Sequence, residues 1–167
     1  MSNKPEENIV LDLLLRLKIL NKIGVALSAE KDGTKLLEMI LKEAKRIAYA
    51  DGGTLYTRTT DNQLKFEIML TNTLNIHTGG TSGVPVTLPS LPLYNDKGKP
   101  NLDKVAVCAA ITGKTINIPD AYRNTAFEFS GTQEFDRKTG YRSQSFLTVP
   151  MKDHHDEVIG VLQLINA

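Results

Sequence analysis

Two apolar runs separated by a short polar turn constrain this chain most. Gln144–Met151 reads QSFLTVPM and Val158–Ile165 reads VIGVLQLI, with Asp153–Asp156 at the turn between them. Polar residues between two such runs specify a β-hairpin. Both runs are apolar at both parities. Val158, Leu162 and Leu164 point one way, and Ile159, Val161 and Ile165 point the other. Successive residues of a strand face opposite sides of the sheet, so this hairpin has to be covered on both faces. Gln163 interrupts the pattern, on the parity of Ile159 and Val161. A buried amide needs hydrogen-bond partners. Either it bonds locally to backbone, or its face lines a cavity that holds something polar.

The preceding chain reads as follows. Residues 6–27 form a helix of strong helix formers, LDLLLRLKIL at its centre, with Asp12 and Arg16 one turn apart. Leu13, Leu17 and Leu20 make one apolar stripe; Leu14, Leu15 and Ile19 lie outside it. A surface helix needs only one stripe. The extra apolar face predicts pairing with a second copy, against the alternative of burial on two sides of its own domain. A second helix starts near Asp32-Gly33-Thr34, with Asp32 or Thr34 as the cap. Its apolar positions Leu37, Ile40, Leu41, Ala44, Ile47 and Ala48 fit a single stripe, and Asp51-Gly52-Gly53 ends it. Thr54–Arg58 is a short strand. Leu64, Phe66, Ile68 and Leu70 alternate with Lys65, Glu67 and Met69 in a half-buried strand. Residues 71–103 are rich in Gly and Pro and read as a long lid or binding loop, with Val84–Leu88 as a short edge strand. A small-residue helix, 102–112, is closed by Gly113. Thr115–Ile118 is a strand, and Thr132 caps a short helix through Lys138. The order of elements predicts an α+β domain with a largely antiparallel sheet.

At 167 residues, 41% hydrophobic and 23% charged, the chain suits one globular domain. A net charge of +1 gives no sign of a nucleic-acid or membrane partner. One cysteine, Cys108, excludes an intrachain disulfide and fits a cytoplasmic setting. No run approaches the ~20 apolar residues of a membrane span, and MSNKPEEN lacks a signal-peptide layout.

Catalytic motifs fail on inspection. Gly113-Lys114-Thr115 lacks the glycine of a phosphate loop, since Cys108 stands in its place. His155-Asp156 falls in the hairpin turn, without the convergent ligands a metal needs. His77 reads as a solvated loop residue, and Cys108 as a packed thiol. The expectation is therefore no catalytic residues, no metal and no cofactor. Asp136, Thr139, Ser143, Ser145 and Gln163, by contrast, lie on or just before the last hairpin. Hydroxyls, an amide and a carboxylate in an otherwise apolar setting suit a small polar ligand. The start of the small-residue helix offers free N–H groups, at Val105 and Ala106, to an anion. Phe127 or Phe129 would stack on a base.

INIPDAY, FDRKTGYRS, FLTVPM and VIGVLQLIN, in this order, resemble the GAF domain family from about Leu20 onward. The similarity is to GAF domains of the cyclic-nucleotide phosphodiesterase type, and among them to bacterial ones that precede an HD-type phosphohydrolase or a nucleotide cyclase. It implies a central antiparallel sheet of about six strands. N-terminal helices would cover one face, and a pocket under loops and a short helix the other. It implies ligand contacts by Thr54, Asp136, Thr139, Ser143, Gln163 and an aromatic, Phe127 or Phe129, with phosphate at Val105-Ala106. The layout expected is a dimerisation helix, 1–28, then the GAF domain, 29–167, as part of a longer signalling protein. Its partners would be a small ligand, a second copy and an attached output domain, with no nucleic acid and no membrane. Three features depart from the family pattern. Ala167 replaces the lysine that follows Asn166 in the family signature. Gln163 stands where binders often carry an acid. The loops 71–103 and 122–135 are longer than usual.

Overall fold

The structure is a computed structural model that describes residues 4–167, with the side chains from Leu13 on except those of Leu15 and Arg16. The expected Asp12–Arg16 pair lies outside the described residues. Four helices, α1 (Lys4–Ala29), α2 (Gly33–Ile47), α3 (Val105–Thr112) and α4 (Ser130–Thr139), accompany seven strands. The strands are β1 (Gly52–Arg58), β2 (Gln63–Thr71), β3 (Ile76–Gly79), β4 (Leu91–Pro92), β5 (Ile116–Ile118), β6 (Phe146–Lys152) and β7 (Val158–Ile165). They form one sheet in the order β3-β2-β1-β7-β6-β5, with β4 added to the free end of β2. Every pairing is antiparallel. The α+β architecture is the expected one, and the two-residue β4 brings the strands to seven.

Each face of the sheet buries its own core. On one face, Leu41 of α2 packs with Leu55, Ile68, Leu70, Leu162 and Leu164. On the other, α3 lays Ala106, Val107, Ala109 and Ala110 against Tyr56, Leu64 and Val161. The small side chains of α3 permit this close approach. Val105, Ile118, Ala121, Phe129 and Phe146 continue that layer.

Two bulges correct the parities read from sequence. Between β1 and β2 the register shifts, so Leu55 pairs with Ile68 and Tyr56 with Phe66, leaving Glu67 unpaired. Leu64 and Phe66 therefore belong to the α3 face, and Ile68 and Leu70 to the α2 face. The strand expected to be half-buried serves both cores. Between β6 and β7, Met151 pairs with Gly160 and Lys152 with Val158, leaving Ile159 unpaired. Ile159 is consequently exposed and Val158 joins the α3 side. A bulge adds one residue to one strand and reverses the facing of all that lies beyond it. Gln163 keeps its predicted face with Val161.

Element ends hold further corrections. Asp32 is the cap of α2, its Oδ1 accepting from Thr34 N (2.9 Å) and Lys35 N (3.2 Å). The helix stops at Ala48, followed by Tyr49 in a left-handed turn, whereas Gly52 and Gly53 open β1. Thr132 does not cap α4. The helix begins at Ser130, whose N–H donates to Glu128 Oε1 at 2.7 Å. Val84–Leu88 is not a strand; Ile76–Gly79 is, held against Ile68–Thr71 of β2. His77 does not point freely into solvent, as its Nε2 lies 3.3 Å from Glu38 Oε1. Leu13, Leu14, Leu17 and Leu20 of α1 are all more than half exposed.

Glu38, a buried carboxylate on α2, fixes the start of the long loop. It accepts from Thr81 N and Thr81 Oγ1, both at 2.7 Å, and from Lys42 Nζ. Burial alone would raise its carboxyl, but the Lys42 and Thr81 hydrogen bonds outweigh it and hold the group at about 2. A depressed carboxyl stabilises above its unfolded value and loses that contribution as pH falls through the folded one. The stability gap between the protein and Glu38→Gln, read by urea unfolding, is thus expected to be widest above about pH 5 and to close toward about pH 2. A gap constant over that range contradicts this account. A second prediction concerns Gly160, where a Cβ would sit 2.4 Å from Tyr56 O, a backbone atom that cannot step aside. Gly160→Ala is expected to cost about 1–3 kcal/mol in the same assay, the usual penalty of overpacking.

Candidate functional site

A cavity of about 400 Å³ opens on the α3 face of the sheet. Its floor is Thr54 and Tyr56 of β1, Phe66 and Met69 of β2, and Gln163 and Ile165 of β7. The β1–β7 register sets Thr54 opposite Gln163 and Tyr56 opposite Val161, so these side chains share a face. The start of α3, the segment Glu128–Phe135 and residues Tyr141–Phe146 form its walls, and Leu88, Pro89 and Leu91 of the long loop close another side. Most of the lining is apolar, with few polar groups, as in typical small-molecule sites of about 300–1,000 Å³.

The buried polar groups are tied to one another. Tyr56 Oη donates to Gln163 Oε1 at 3.3 Å, and Gln163 Nε2 donates to Thr148 Oγ1 at 3.1 Å. Gln163 therefore bonds to side chains of neighbouring strands and not to local backbone, and it also lines the cavity. Burial pushes the Tyr56 phenol well above its ordinary value, only slightly offset by the Thr54 hydroxyl. Asp136, 3% exposed, accepts from Ser143 N (2.7 Å), Ser143 Oγ (2.7 Å) and Tyr122 Oη (2.6 Å). Arg142 stacks over the Tyr122 ring, 4.4 Å from its centre. Tyr141 Oη donates to Asp51 Oδ2 at 2.6 Å and accepts from Asn166 Nδ2 at 3.0 Å. Burial raises the Tyr141 phenol, and the Asp51 carboxylate raises it further. Asn166 completes that junction by accepting from Gln144 N at 2.8 Å and donating to Arg142 O at 2.8 Å.

The start of α3 carries unused donors. Its first internal bond is Cys108 N to Lys104 O at 2.8 Å, and the cap Lys104 supplies no side-chain acceptor. The N–H groups of Val105 and Ala106 have no acceptor among the described residues. Lys104 Nζ pairs with Glu128 Oε2 at 3.1 Å beside the cavity. Hydrogen bonds from Ser130 and Lys104 hold the Glu128 carboxyl down at about 2.

Of the residues singled out from sequence, Thr54, Val105, Ala106, Phe129, Ser143 and Gln163 line the cavity. Four do not. Thr139 is exposed near the end of α4, and its hydroxyl donates to Phe135 O at 2.9 Å, as hydroxyls in a last helical turn commonly do. Ser145 lies beyond the lining, its Oγ 3.4 Å from Ala167 O. Phe127 is half-buried in the layer beside Val105 and Phe146. Asp136 stands behind Ser143, with its acceptors turned to Ser143 and Tyr122. Lys104, Glu128, Tyr56 and Tyr141 were missed. Tyr56 was findable, two residues from Thr54 on one strand face. Tyr141 carries no local signal, because a loop sets its direction. Among the described residues no His, Cys, Asp and Glu cluster is arranged to hold a metal, and no helix is long and apolar enough to cross a membrane.

Comparison with known proteins agrees with this geometry. The model of the GAF domain family matches residues 32–167. Two curated relatives share short stretches. The dual 3',5'-cyclic-AMP and -GMP phosphodiesterase 11A of Takifugu rubripes is 44% identical over 54 residues, 32% of this chain and 6% of that protein. The dual 3',5'-cyclic-AMP and -GMP phosphodiesterase 11 of Drosophila melanogaster is 44% identical over 62 residues, 37% of this chain and 4% of that protein. The chain therefore spans only a small part of these relatives. Among solved structures, the GAF domain of an Acinetobacter phosphoenolpyruvate-protein phosphotransferase superposes with a TM-score of 0.63 at 16% identity, over 99% of this chain and 78% of that one. The sheet order, the two-faced core and the family match over most of its length make this chain a member of the GAF domain family.

Proposed function

We propose that this GAF domain is a sensory module of a bacterial signal-transduction protein, in the cytoplasm. It binds a small ligand in the α3-face cavity, with a cyclic nucleotide as the favoured class. The occupancy then controls an attached output domain, such as an HD-type phosphohydrolase or a nucleotide cyclase. The domain itself carries no catalytic role in this reading. The cavity supports it: an apolar hollow of about 400 Å³ in which Thr54, Ser143 and Gln163 meet the unused N–H groups of Val105 and Ala106. Phe129 offers a ring to a base, and the helix start suits a phosphate. The names of the curated relatives, both dual cyclic-nucleotide phosphodiesterases, point to the same ligand class. Ligand closing the loop at Leu88–Leu91 over the sheet would shift the pairing of α1 with a second copy. Such coupling requires different affinities for two states.

A second reading is a ligand-free dimerisation and spacer module. The exposed Leu13, Leu14, Leu17 and Leu20 favour it, as does the internal bonding of Gln163. In either reading residues 1–28 serve as the pairing helix; residues 29–167 are the sensor in the first and the spacer body in the second.

Calorimetry with 3',5'-cyclic GMP and 3',5'-cyclic AMP tests the first reading. Saturable binding is expected with at least one of them. Lys104→Glu should weaken it about tenfold by placing a negative charge beside an anionic ligand. Absence of heat from both nucleotides would remove the cyclic-nucleotide assignment. Sedimentation tests the pairing helix: a dimer is expected, converted to monomer by Leu17→Asp with Leu20→Asp. A strict monomer at high concentration eliminates the spacer reading.

A further inference from the structure

A serine hydroxyl has one proton to give and two lone pairs with which to accept. In this cavity the proton of Ser143 is already committed. Its Oγ donates to Asp136 Oδ1 at 2.7 Å, and a carboxylate can only accept. The other oxygen, Oδ2, is occupied by Ser143 N at 2.7 Å and Tyr122 Oη at 2.6 Å. Asp136 and Ser143 are each 3% exposed, so no bulk water competes for these bonds. Ser143 lines the cavity and has only lone pairs left to offer it. The neighbouring hydroxyl of Tyr141 adds no donor, because its proton goes to Asp51 and Asn166 already donates to it.

We propose that Asp136, acting through Ser143, makes this part of the cavity a hydrogen-bond acceptor and so selects ligands whose base turns an N–H donor toward it. The inference rests on the reading of the cavity as a ligand site. It assigns Asp136 a positioning role in place of a direct contact. A ligand edge carrying only lone pairs would set two acceptors face to face in a desolvated site. Leaving a buried polar group unmatched is among the strongest sources of discrimination between similar ligands.

The amide analogue of Asp136 reverses the polarity with little change of shape. In Asp136→Asn the carboxamide oxygen can keep both Ser143 N and Tyr122, since those two share Oδ2. The new NH2 then stands at the Oδ1 position and donates to Ser143 Oγ. The serine proton is released toward the cavity, and an acceptor becomes a donor.

Two probes separate these states in calorimetry. Cyclic GMP carries N–H donors on its base. The 3',5'-cyclic monophosphate of unsubstituted purine riboside has a purine ring of the same kind with no N–H at all. The protein is expected to bind cyclic GMP about tenfold or more tightly over the unsubstituted purine nucleotide. Asp136→Asn is expected to shrink that ratio about tenfold or invert it, an effect a merely structural residue would not produce. Ser143→Ala, which keeps the backbone N–H bond to Asp136, should bring the ratio toward one, and it decides the matter if circular dichroism shows Asp136→Asn unfolded. Equal affinity of the unmutated protein for the two probes, or an unchanged ratio in either folded variant, overturns this inference and leaves the ligand site standing. No binding of either probe by the unmutated protein overturns this inference, and with no binding of cyclic AMP either, the nucleotide reading falls with it.

Discussion

The pairing of the first strand with the last holds this domain together. Residues Gly52–Thr57 lie antiparallel to Gly160–Ile165, more than a hundred positions away in the chain. That ladder places β1 and β7 at the centre of the sheet, with β2 and β6 outside them. Both central strands are buried on two faces, so α2 and α3 must cover opposite sides. It also brings Thr54 and Tyr56 to the same face as Gln163, which is the only way residues so distant in sequence share one floor. The close contact at Gly160 is the local cost of that pairing. The backbone of β7 runs so near Tyr56 O that no side chain fits between them.

Much of the architecture is legible in the sequence because it is written in periodicity. The helical stripe of α2, the Asp32 cap, the Gly113 stop and the 158–165 strand all follow from local chemistry. The bulges do not. Glu67 and Ile159 look like ordinary members of alternating runs, yet each is the extra residue that reverses the faces around it. Nothing local marks them, since a bulge is settled by what the partner strand can accommodate. β3 was lost for a related reason. IHTG sits in a stretch dense with turn residues, and only pairing with β2 makes it a strand.

The site divides along the same line. Thr54 and Gln163 on strands, Val105 and Ala106 at a helix start, and Phe129 and Ser143 on either side of α4 line the cavity. Phe127, Asp136, Thr139 and Ser145 do not, because the seating of α4 and of the segments beside it is a tertiary matter. Asp136 and Thr139 are three residues apart on α4, yet Asp136 is buried while Thr139, at the helix end, is exposed with its hydroxyl turned back to Phe135 O. Lys104 and Glu128 show the same limit. Their pairing joins a helix cap to a loop, and neither position is distinguished in the sequence.

The internal bonding of the cavity bears directly on how such a site would signal. Gln163 is satisfied by Tyr56 and Thr148, Asp136 by Ser143 and Tyr122, and Tyr141 by Asp51 and Asn166. Leaving these groups unpaired would cost about 1–3 kcal/mol each, so the sheet face is stable without a guest. A guest therefore gains little by rebuilding the floor. In the proposed reading its contacts would lie with the apolar walls, the α3 N–H groups, the acceptor side of Ser143 and the loop at Leu88–Leu91. Tyr141 is the exception that links the two regimes. Its ring lines the cavity, while its hydroxyl joins Asp51, at the entry to β1, to Asn166, at the exit of β7. Displacement of that ring would strain one end of the central strand pair, where β1 begins and β7 stops. The ladder that makes the floor rigid is thereby also the element through which occupancy of the hollow would reach the rest of the chain.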